Sequence, residues 1–289
     1  MDSKALHIFA AVAESGAIST AAKRLNTVQS NVTAHIRRLE EELGRPLFIR
    51  NRRGVSLTAA GETLLVHARL VLTAMEQARR AVDGDDGRLV LGSMESTLAT
   101  RLVPLLAGLR KEHPALRLGL RTGPTDDLIA DVLAGRLDAA FVGGRIRHPE
   151  LAEHPAFDEE IVLLTDTDTR DPAEIATRPL LVFRQGCSYR SMAEHWRRFH
   201  ACAPVSVMEM GTLDGILAAV AAGLGVTLLP RAAAGRPFYE GRLRCWPAGE
   251  EAPLILPTVL VRRAEISPAP ALAGLIARLA DRRQGGAVP

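Results

Sequence analysis

The stretch that decides the fold of this chain is STAAKRLNTVQSNVTAHIRRL, residues 19–39. It predicts a first helix capped by Ser19, a turn at Asn26-Thr27, and a second helix from about Val28 into Glu40. Two alanines in the first helix allow the close crossing that a helix-turn-helix requires. The stretch therefore predicts a motif whose second helix enters a groove of DNA.

The second helix of this motif has two chemically different sides. Its apolar stripe, which we expect to face the preceding helices, consists of Val28, Val32, Ile36 and Leu39. The other side offers short polar groups, an amide suited to adenine and a methyl group suited to thymine. The candidate DNA-binding residues of the motif are Ser19, Gln29, Ser30, Asn31, Thr33, Ala34, Arg37 and Arg38.

A small hairpin, or wing, is predicted after these helices. Residues 46–50 have the pattern of a strand, residues 51–54 that of a turn, and residues 55–57 that of a return strand. The candidate phosphate contacts of the wing are Arg50, Arg52 and Arg53. Contacts of this kind are independent of base sequence and weaken as the salt concentration rises.

A long helix is predicted from Ala59 to about Val82, with Thr58 as its N-cap. Its apolar residues alternate by four and three, which is coiled-coil spacing: Leu64, Ala68, Val71, Met75, Ala78 and Val82. Such a helix extends about 35 Å. We therefore expect a second copy of the chain to cover this seam.

Charge and cysteine usage agree with a DNA-binding N-terminal region. Residues 1–60 hold nine Lys or Arg against five acidic residues, whereas the other 229 residues hold 27 and 28. The three cysteines do not form a disulfide framework, which favours a reducing compartment. The longest apolar run, residues 216–229, is shorter than the roughly 20 residues that a membrane span needs. We expect a cytoplasmic protein that does not bind membranes.

From residue 88 onward, apolar strand-like segments alternate with helix-like segments, which indicates an α/β fold with parallel strands. One set of strands lies at 88–91, 116–120 and 139–142, and a second set lies at 161–164, 180–183, 205–208, 226–229 and 254–261. Glu159-Glu160, just ahead of the second set, is interpreted as a solvated turn. Two α/β halves joined by crossing segments form a cleft.

The order of these parts resembles that of the LysR-type transcriptional regulators, over essentially the whole chain. The resemblance rests on FAAVAESGAISTAAKRLNTVQSNVTAHIRRLEEELGRPLFIRNRRGVSLTAAGE, residues 9–62. Val28 and Ser30 depart from the family pattern, in which a capping Ser or Thr and a proline are frequent at these positions.

The resemblance implies three regions and a mode of action. The regions are a winged helix-turn-helix at 1–58, a linker and dimerisation helix at 59–87, and a two-lobed effector-binding domain similar to periplasmic binding proteins at 88–289, with lobe I at about 88–161 and 263–289 and lobe II at about 162–262. The implied regulator is a homodimer or tetramer on a pseudopalindromic double-stranded operator. It responds to a small effector, uses no cofactor or metal, and has RNA polymerase as a further partner.

Ligands of open α/β sheets bind at loops beyond the carboxyl ends of the strands. These loops are rich in hydroxyl groups here, and Arg190 is the expected counter-charge for a small anionic effector. The candidate effector-binding residues are Ser93, Ser96, Thr97, Thr122, Gly123, Gln185, Cys187, Ser188, Tyr189 and Arg190. For Ser93, Ser96 and Ser188, simple helix capping is the alternative interpretation.

Two alternatives to a regulator are an enzyme and a protein that only binds small molecules. The chain has no G-x-S-x-G elbow, P-loop or H-E-x-x-H motif, which argues against an enzyme. The main alternative is a two-lobed small-molecule-binding protein whose N-terminal region serves only assembly. Cys187 is either a packing residue or, at a helix N-terminus beside Arg190, a redox-sensing thiol of lowered pKa.

Replacing Arg52 and Arg53 by Ala is expected to weaken binding to all DNA sequences alike, because phosphate contacts carry no base information. The slope of log K against log salt should fall by roughly one for each contact removed. Fluorescence anisotropy on specific and random duplexes at several salt concentrations measures both quantities. Loss of affinity for one sequence only would contradict the assignment of these residues to phosphates.

Overall fold

The computed structural model describes residues 1–51, 54–83, 87–200, 206–249 and 252–284. The chain divides into two compact units, one made mainly of Met1–Asp85 and the other of Asp86–Val132 and Leu137–Pro289. The first unit contains helices α1 (Ser3–Ser15), α2 (Ile18–Arg24) and α3 (Gln29–Leu43), strands β1 (Phe48–Asn51) and β2 (Gly54–Leu57), and helix α4 (Ala59–Asp83).

The N-terminal helices begin and end at defined caps. Helix α1 ends as predicted, because Gly16 takes a left-handed backbone (φ 65°) and its N–H donates to the Val12 carbonyl. The prediction that Ser19 caps α2 is wrong. Ala17 is the N-cap and makes no side-chain hydrogen bond, and Ser19 is already the second residue of the helix. The extended backbone that a cap needs (φ −151°, ψ 133°) occurs at Ala17, directly after the turn at Gly16.

Helix α3 buries three of the four residues of its predicted apolar stripe. Val32, Ile36 and Leu39 are at most 3% exposed and belong to the core of the first unit. Val28 is 64% exposed, so its predicted burial is wrong. Val28 is the N-cap residue, and its extended backbone (φ −91°, ψ 152°) takes its side chain out of the helical register.

The predicted wing is present as an antiparallel pair. Strands β1 and β2 align from Phe48 opposite Leu57 to Asn51 opposite Gly54. Arg50 lies in β1, whereas Arg52 and Arg53 lie outside the described residues.

One carboxylate of α3 positions the wing. An oxygen of Glu40 accepts hydrogen bonds from the backbone N–H of Leu47 at 2.7 Å and of Phe48 at 3.2 Å. On the other strand, the Val55 N–H donates to the Gly16 carbonyl at 2.9 Å. The wing is therefore attached both to α3 and to the end of α1.

Helix α4 starts at the predicted cap, because the Gly61 N–H donates to the Thr58 hydroxyl at 3.0 Å. It runs for 25 residues. No helix among the described residues is long and apolar enough to cross a membrane.

The predicted seam of α4 has two parts. Leu64 and Ala68 pack against the core of the first unit. Val71 and Met75, farther along the helix, are 43% and 47% exposed, and Ala78 is exposed as well. The side chain of Val82 lies outside the described residues. The farther part of the seam is therefore an exposed apolar surface.

The second unit alternates strands and helices, as predicted. Its elements are β3 (Arg88–Ser93), α5 (Glu95–Thr97), a π-helical turn (Leu98–Leu102), α6 (Val103–Glu112), β4 (Arg117–Thr122), α7 (Thr125–Leu133), β5 (Ala139–Gly143), β6 (Leu151–Asp166), α8 (Pro172–Ile175), β7 (Leu180–Val182), α9 (Ser188–His200), β8 (Val207–Glu209), α10 (Leu213–Ala221), β9 (Thr227–Pro230), α11 (Arg231–Ala234), a 3-10 turn (Pro237–Tyr239), β10 (Leu243–Pro247), β11 (Leu254–Arg263) and α12 (Pro270–Gln284).

Two lobes are built around one shared sheet. In the first lobe β3 lies between β4 and β5 and is parallel to both, as the strand-helix alternation predicts. Strands β6 and β11 pair antiparallel with each other and continue into the second lobe, where β9 and β10 pair with β6. The parallel pair β7–β8 completes the second lobe.

Strand β6 is longer than predicted. It begins at Leu151, ten residues before the predicted start at Ile161. Its pairing with β11 is irregular between Thr258 and Val259, and Val259 lies opposite Pro155. Proline has no N–H to donate to the neighbouring strand, and it is tolerated at such irregularities. Because a proline usually argues against a strand, Pro155 explains why the sequence did not predict this part of β6.

The interpretation of Glu159-Glu160 as a solvated turn is wrong, because both residues lie in β6. Successive residues of a strand face opposite sides. Glu159 is 2% exposed and accepts two hydrogen bonds from the Arg101 guanidinium, at 2.9 and 3.0 Å. On the other side, Glu160 accepts two bonds from Arg231 at 2.7 Å.

Replacing Gly61 by Ala is expected to destabilise the first unit by about 1–3 kcal/mol. A Cβ at this position would lie 2.2 Å from the Leu47 carbonyl oxygen, so α4 and the wing would have to separate. The matched control is Gly274→Ala in α12, where nothing lies within 4 Å and Ala should stabilise by about 0.5–1 kcal/mol. Differential scanning calorimetry measures both changes, and equal melting temperatures for the two variants would contradict the close approach.

Candidate functional site

The exposed side of α3 carries most of the predicted DNA-binding residues. Gln29, Ser30, Ala34, Arg37 and Arg38 are exposed. This side lies opposite the buried stripe, and these five residues include no large apolar side chain. Their amide, hydroxyl and guanidinium groups are those that bind base edges and phosphates.

Three other predicted residues differ from this set. Thr33 is half-buried, and Ser19 is exposed on α2. Asn31 is half-buried, and its amide donates to the Thr27 hydroxyl at 2.9 Å. This bond links the first turn of α3 to the preceding turn, where Val28 has no capping side chain.

Arg37 forms a solvent-exposed ion pair with Glu41. Its Nε donates to the Glu41 carboxylate at 2.7 Å, one helical turn away, and both side chains are largely exposed. Exposed pairs of this kind contribute little to stability. Arg37 can therefore exchange Glu41 for a phosphate or a base edge at small cost.

A cavity of about 250 Å³ lies between the two lobes, beyond the carboxyl ends of β3, β4 and β7. Five of the predicted effector-binding residues line it: Ser96, Thr122, Gly123, Cys187 and Tyr189. The other lining residues are Met94, Glu95, Pro124, Phe183, Arg184 and Gly211. The cavity thus lies where the strand-end rule predicts a ligand.

The other predicted residues lie near the cavity without lining it. The Ser93 hydroxyl donates to the Met94 carbonyl at 2.8 Å. Thr97 is buried in α5, and Gln185 is exposed. Ser188 begins α9, and its hydroxyl lies 3.0 Å from that of Thr125.

Arg190 does not supply the expected free counter-charge. Its guanidinium donates to Glu194 at 2.7 Å and to Glu209 at 2.6 Å, and these carboxylates raise the pKa of Arg190. It also donates to the Phe183 carbonyl. The cation in the wall is Arg184, which pairs with Asp127 at 3.1 Å.

Three buried hydroxyl groups lie together beside the cavity. Ser96, Thr97 and Tyr189 are at most 2% exposed, and none of their hydroxyls makes a hydrogen bond of normal geometry within the described structure. Burial raises the pKa of Tyr189 to about 12, and the nearby Ser96 and Thr97 hydroxyls act in the opposite direction. The phenol is therefore a neutral donor at physiological pH.

Hydrogen bonds connect the lobes around the cavity. The Leu213 N–H at the start of α10 donates to the Glu95 carboxylate at 3.1 Å. The Asp126 N–H donates to the Gly186 carbonyl at 3.2 Å. Glu95, Arg184 and Gly211 were not among the residues expected from the sequence, because hydroxyl groups were favoured. Glu95 and Arg184 each lie two residues after the end of a strand, β3 and β7, and this position would have identified them.

Two family profiles match this chain. The profile described as LysR substrate binding domain matches residues 83–284, and the one described as Bacterial regulatory helix-turn-helix protein, lysR family, matches residues 3–62. The chain belongs to the LysR family. It is thus a DNA-binding transcriptional regulator with an effector-binding domain, in a family of regulators rather than enzymes.

Relatives of this LysR-family chain cover nearly its whole length. It is 41% identical over 266 residues to the uncharacterized HTH-type transcriptional regulator YusT of Bacillus subtilis (strain 168), covering 91% of this chain and 90% of that protein. A full-length OxyR variant from Pseudomonas aeruginosa has a similar fold, with a TM-score of 0.76 at 23% identity over 96% of this chain and 94% of that one. Full-length CbnR in complex with its target DNA gives 0.66 at 23% identity, over 98% and 99%.

The cysteine that lines the cavity of this LysR-family protein does not have the lowered pKa of a sensor thiol. Cys187 is 5% exposed, and its burial raises the pKa of the thiol above its usual value. Hydrogen bonds from the backbone N–H groups of Arg190 and Tyr189 act in the opposite direction but are outweighed.

In a Cys202→Ser, Cys245→Ser background, Cys187 is expected to react slowly with a small thiol reagent, at a rate that still rises above about pH 9. The thiolate is the nucleophile, and the raised pKa moves its formation to higher pH. Stopped-flow labelling across pH measures the profile, with the urea-unfolded protein as the reference for an ordinary thiol. A rate that levels off below about pH 8 would support the sensor interpretation instead.

Proposed function

We propose that this regulator binds double-stranded operator DNA through α3 and the wing. In this proposal residues 1–58 form the DNA-binding domain, residues 59–87 the linker helix, and residues 88–289 the effector-binding domain. Base edges are contacted by Gln29, Ser30, Thr33 and Ala34, with Arg37 beside them. The other predicted DNA-binding residues, Ser19, Asn31, Arg38, Arg50, Arg52 and Arg53, support the helix or contact phosphates.

The observation that best supports this proposal is that one side of α3 is buried in the core and the other side is exposed. Val32, Ile36 and Leu39 hold the helix against the core, while Gln29 and Ser30 at its N-terminal end remain exposed. A helix held in this way presents its first turns to the major groove, as in other helix-turn-helix proteins. The concentration of positive charge in residues 1–60 supports the same surface.

We further propose that the regulator acts as a homodimer, or as a tetramer made from two dimers, on a pseudopalindromic operator in the cytoplasm. The exposed apolar residues Val71 and Met75 on α4 support the pairing of two linker helices. A two-fold dimer requires an operator with two matching half-sites. RNA polymerase is the further partner through which a bound regulator changes transcription.

A small molecule in the cavity is proposed to control the regulator. The lobes are joined beside the cavity by the bond from Leu213 to Glu95 and by the close hydroxyls of Thr125 and Ser188. A ligand between them changes the populations of lobe arrangements only as far as it binds one arrangement more tightly. Such a shift changes the spacing of the DNA-binding domains and thereby the geometry of bound DNA.

The triple variant Gln29→Ala, Ser30→Ala, Thr33→Ala is expected to lose base preference, because each good base contact contributes about 1–3 kcal/mol of discrimination. Selection of binding sites from random DNA by the full-length protein, followed by sequencing, measures the preference. The wild-type protein should select a pseudopalindrome, and gel retardation should show that this binding survives competitor DNA.

The matched control is Thr167→Ala with Ser191→Ala, which removes exposed hydroxyls from the second unit. It should select the wild-type operator unchanged. If the triple variant also selected that operator, α3 would not be the recognition helix. If the wild-type protein selected no sequence, the proposed operator binding itself would be wrong.

A further inference from the structure

Within the part of the chain that the structure describes, the cavity wall contains one carboxylate without a cationic partner, that of Glu95. We propose that the effector carries a protonated nitrogen that binds Glu95, together with an oxygen that accepts hydrogen bonds, so that it belongs to the amino-acid or small-amide class of amines. This inference rests on the proposed function, in which the cavity holds the effector. It replaces the simple anion expected from the sequence.

Glu95 has no cationic partner in the described part of the chain, and its charge is met by the N-terminus of α10. Its Oε1 accepts one hydrogen bond, from the Leu213 N–H at 3.1 Å. Among the described residues, no Lys, Arg or His lies within ion-pairing distance of this carboxylate. A partly buried carboxylate whose second oxygen has no hydrogen bond within the described structure can accept from a cationic group of a ligand.

The cations near the cavity are already paired with carboxylates. Arg184 in the wall pairs with Asp127 at 3.1 Å. Arg190 behind the wall pairs with both Glu194 and Glu209. Arg184 and Asp127 are both more than half exposed, so Arg184, like Arg37, can exchange its partner for an anionic group of a ligand, whereas Arg190 is held by two carboxylates. The wall therefore offers one carboxylate and one exchangeable cation, and a ligand that is only an anion would leave Glu95 without a partner.

The remaining polar groups of the wall suit an oxygen of the ligand. Ser96 and Tyr189 line the cavity, and their buried hydroxyls lie close to each other without making a hydrogen bond of normal geometry within the described structure. An oxygen of a ligand would give these hydroxyls a better-aligned acceptor. A carbonyl or carboxylate oxygen close to the nitrogen meets this requirement.

The position of Glu95 also connects recognition with lobe geometry. Glu95 belongs to the first lobe, whereas Leu213, which donates to it, begins α10 of the second. A cation on the free oxygen of Glu95 would bind at the contact that joins the lobes. Binding of the amine therefore favours one lobe arrangement, as the proposed control requires.

The test uses a small-molecule extract of bacterial cells, freed of metal ions with a chelating resin and separated on a strong cation exchanger at low pH. The retained fraction contains the amines, and the unretained fraction contains acids and neutral compounds. Each fraction is added to the full-length protein, and the melting temperature and operator gel retardation are measured. We expect only the retained fraction to raise the melting temperature and to change the retarded band.

The decisive variant is Glu95→Gln, whose amide oxygen still accepts the Leu213 N–H but carries no charge. The control is Glu174→Gln, the same change on an exposed surface. Glu95→Gln should require about tenfold more of the retained fraction for the same response, and Glu174→Gln should behave as the wild type. Without added fraction, Glu174→Gln should melt and bind operator as the wild type does, and the response of each variant is measured relative to its own melting temperature and retarded band without added fraction.

Two results would overturn the inference. If the unretained fraction alone gave the response, or if Glu95→Gln responded as the wild type, the amine recognition would be wrong while effector control remained. Alternatively, a protein that binds its operator could respond to neither fraction, with no change in melting temperature or retarded band. In that case both the amine recognition and the proposed effector control through the cavity would be wrong.

Discussion

The antiparallel pairing of β6 with β11 is the interaction on which the effector-binding domain depends. Its register runs from Leu254 opposite Ile161 to Arg263 opposite Leu151. One end of this ladder pairs with β5 and the first lobe, and the other end of β6 pairs with β9 and β10. Both lobes are attached to the same two strands. Because β6 and β11 run from the first lobe into the second, they hold the lobes side by side, and the cavity lies between them.

Strand β6 also contains a buried carboxylate, that of Glu159, whose ion pair links the strand to the segment that lines the cavity. Glu159 of β6 pairs with Arg101, which lies in the π-helical turn directly after α5. The Glu159 side chain is 2% exposed and that of Arg101 36%, so loss of Arg101 would leave a buried carboxylate without its ion-pair partner, which is destabilising. Single-turn π-helices are frequent at functional sites. Here the turn places a guanidinium against the crossing strand while the preceding residues, Glu95 and Ser96, line the cavity.

In the DNA-binding domain, α3 combines three tasks on one helix. One stripe packs in the core, the exposed side is free for DNA, and Glu40 near its end accepts N–H groups from the wing. The wing and the helix are therefore positioned by the same rigid element. The exposed side of α3 and the wing are consequently held at a fixed separation.

The sequence by itself determined most of the features that depend on local periodicity, but only part of the helix caps, since Thr58 caps α4 whereas Ser19 does not cap α2. The stripe of Val32, Ile36 and Leu39, the turn at Asn26 with its left-handed backbone (φ 50°), and the Thr58 cap follow from spacing and side-chain type. The family pattern of residues 9–62 is also local. These features can be predicted from the sequence because the hydrogen bonds and the helical register that produce them involve residues only a few positions apart.

Only the tertiary structure decided which charges are free and which are buried. Arg190 has one partner, Glu194, within a helical turn, but its second, Glu209, comes from β8. Glu159 is buried because Arg101, 58 positions away, reaches it, and Glu95 is unpaired because no cation among the described residues approaches it. The energy of a charged group depends on neighbours that are distant in sequence, so its role is set by the packed fold rather than by residue type.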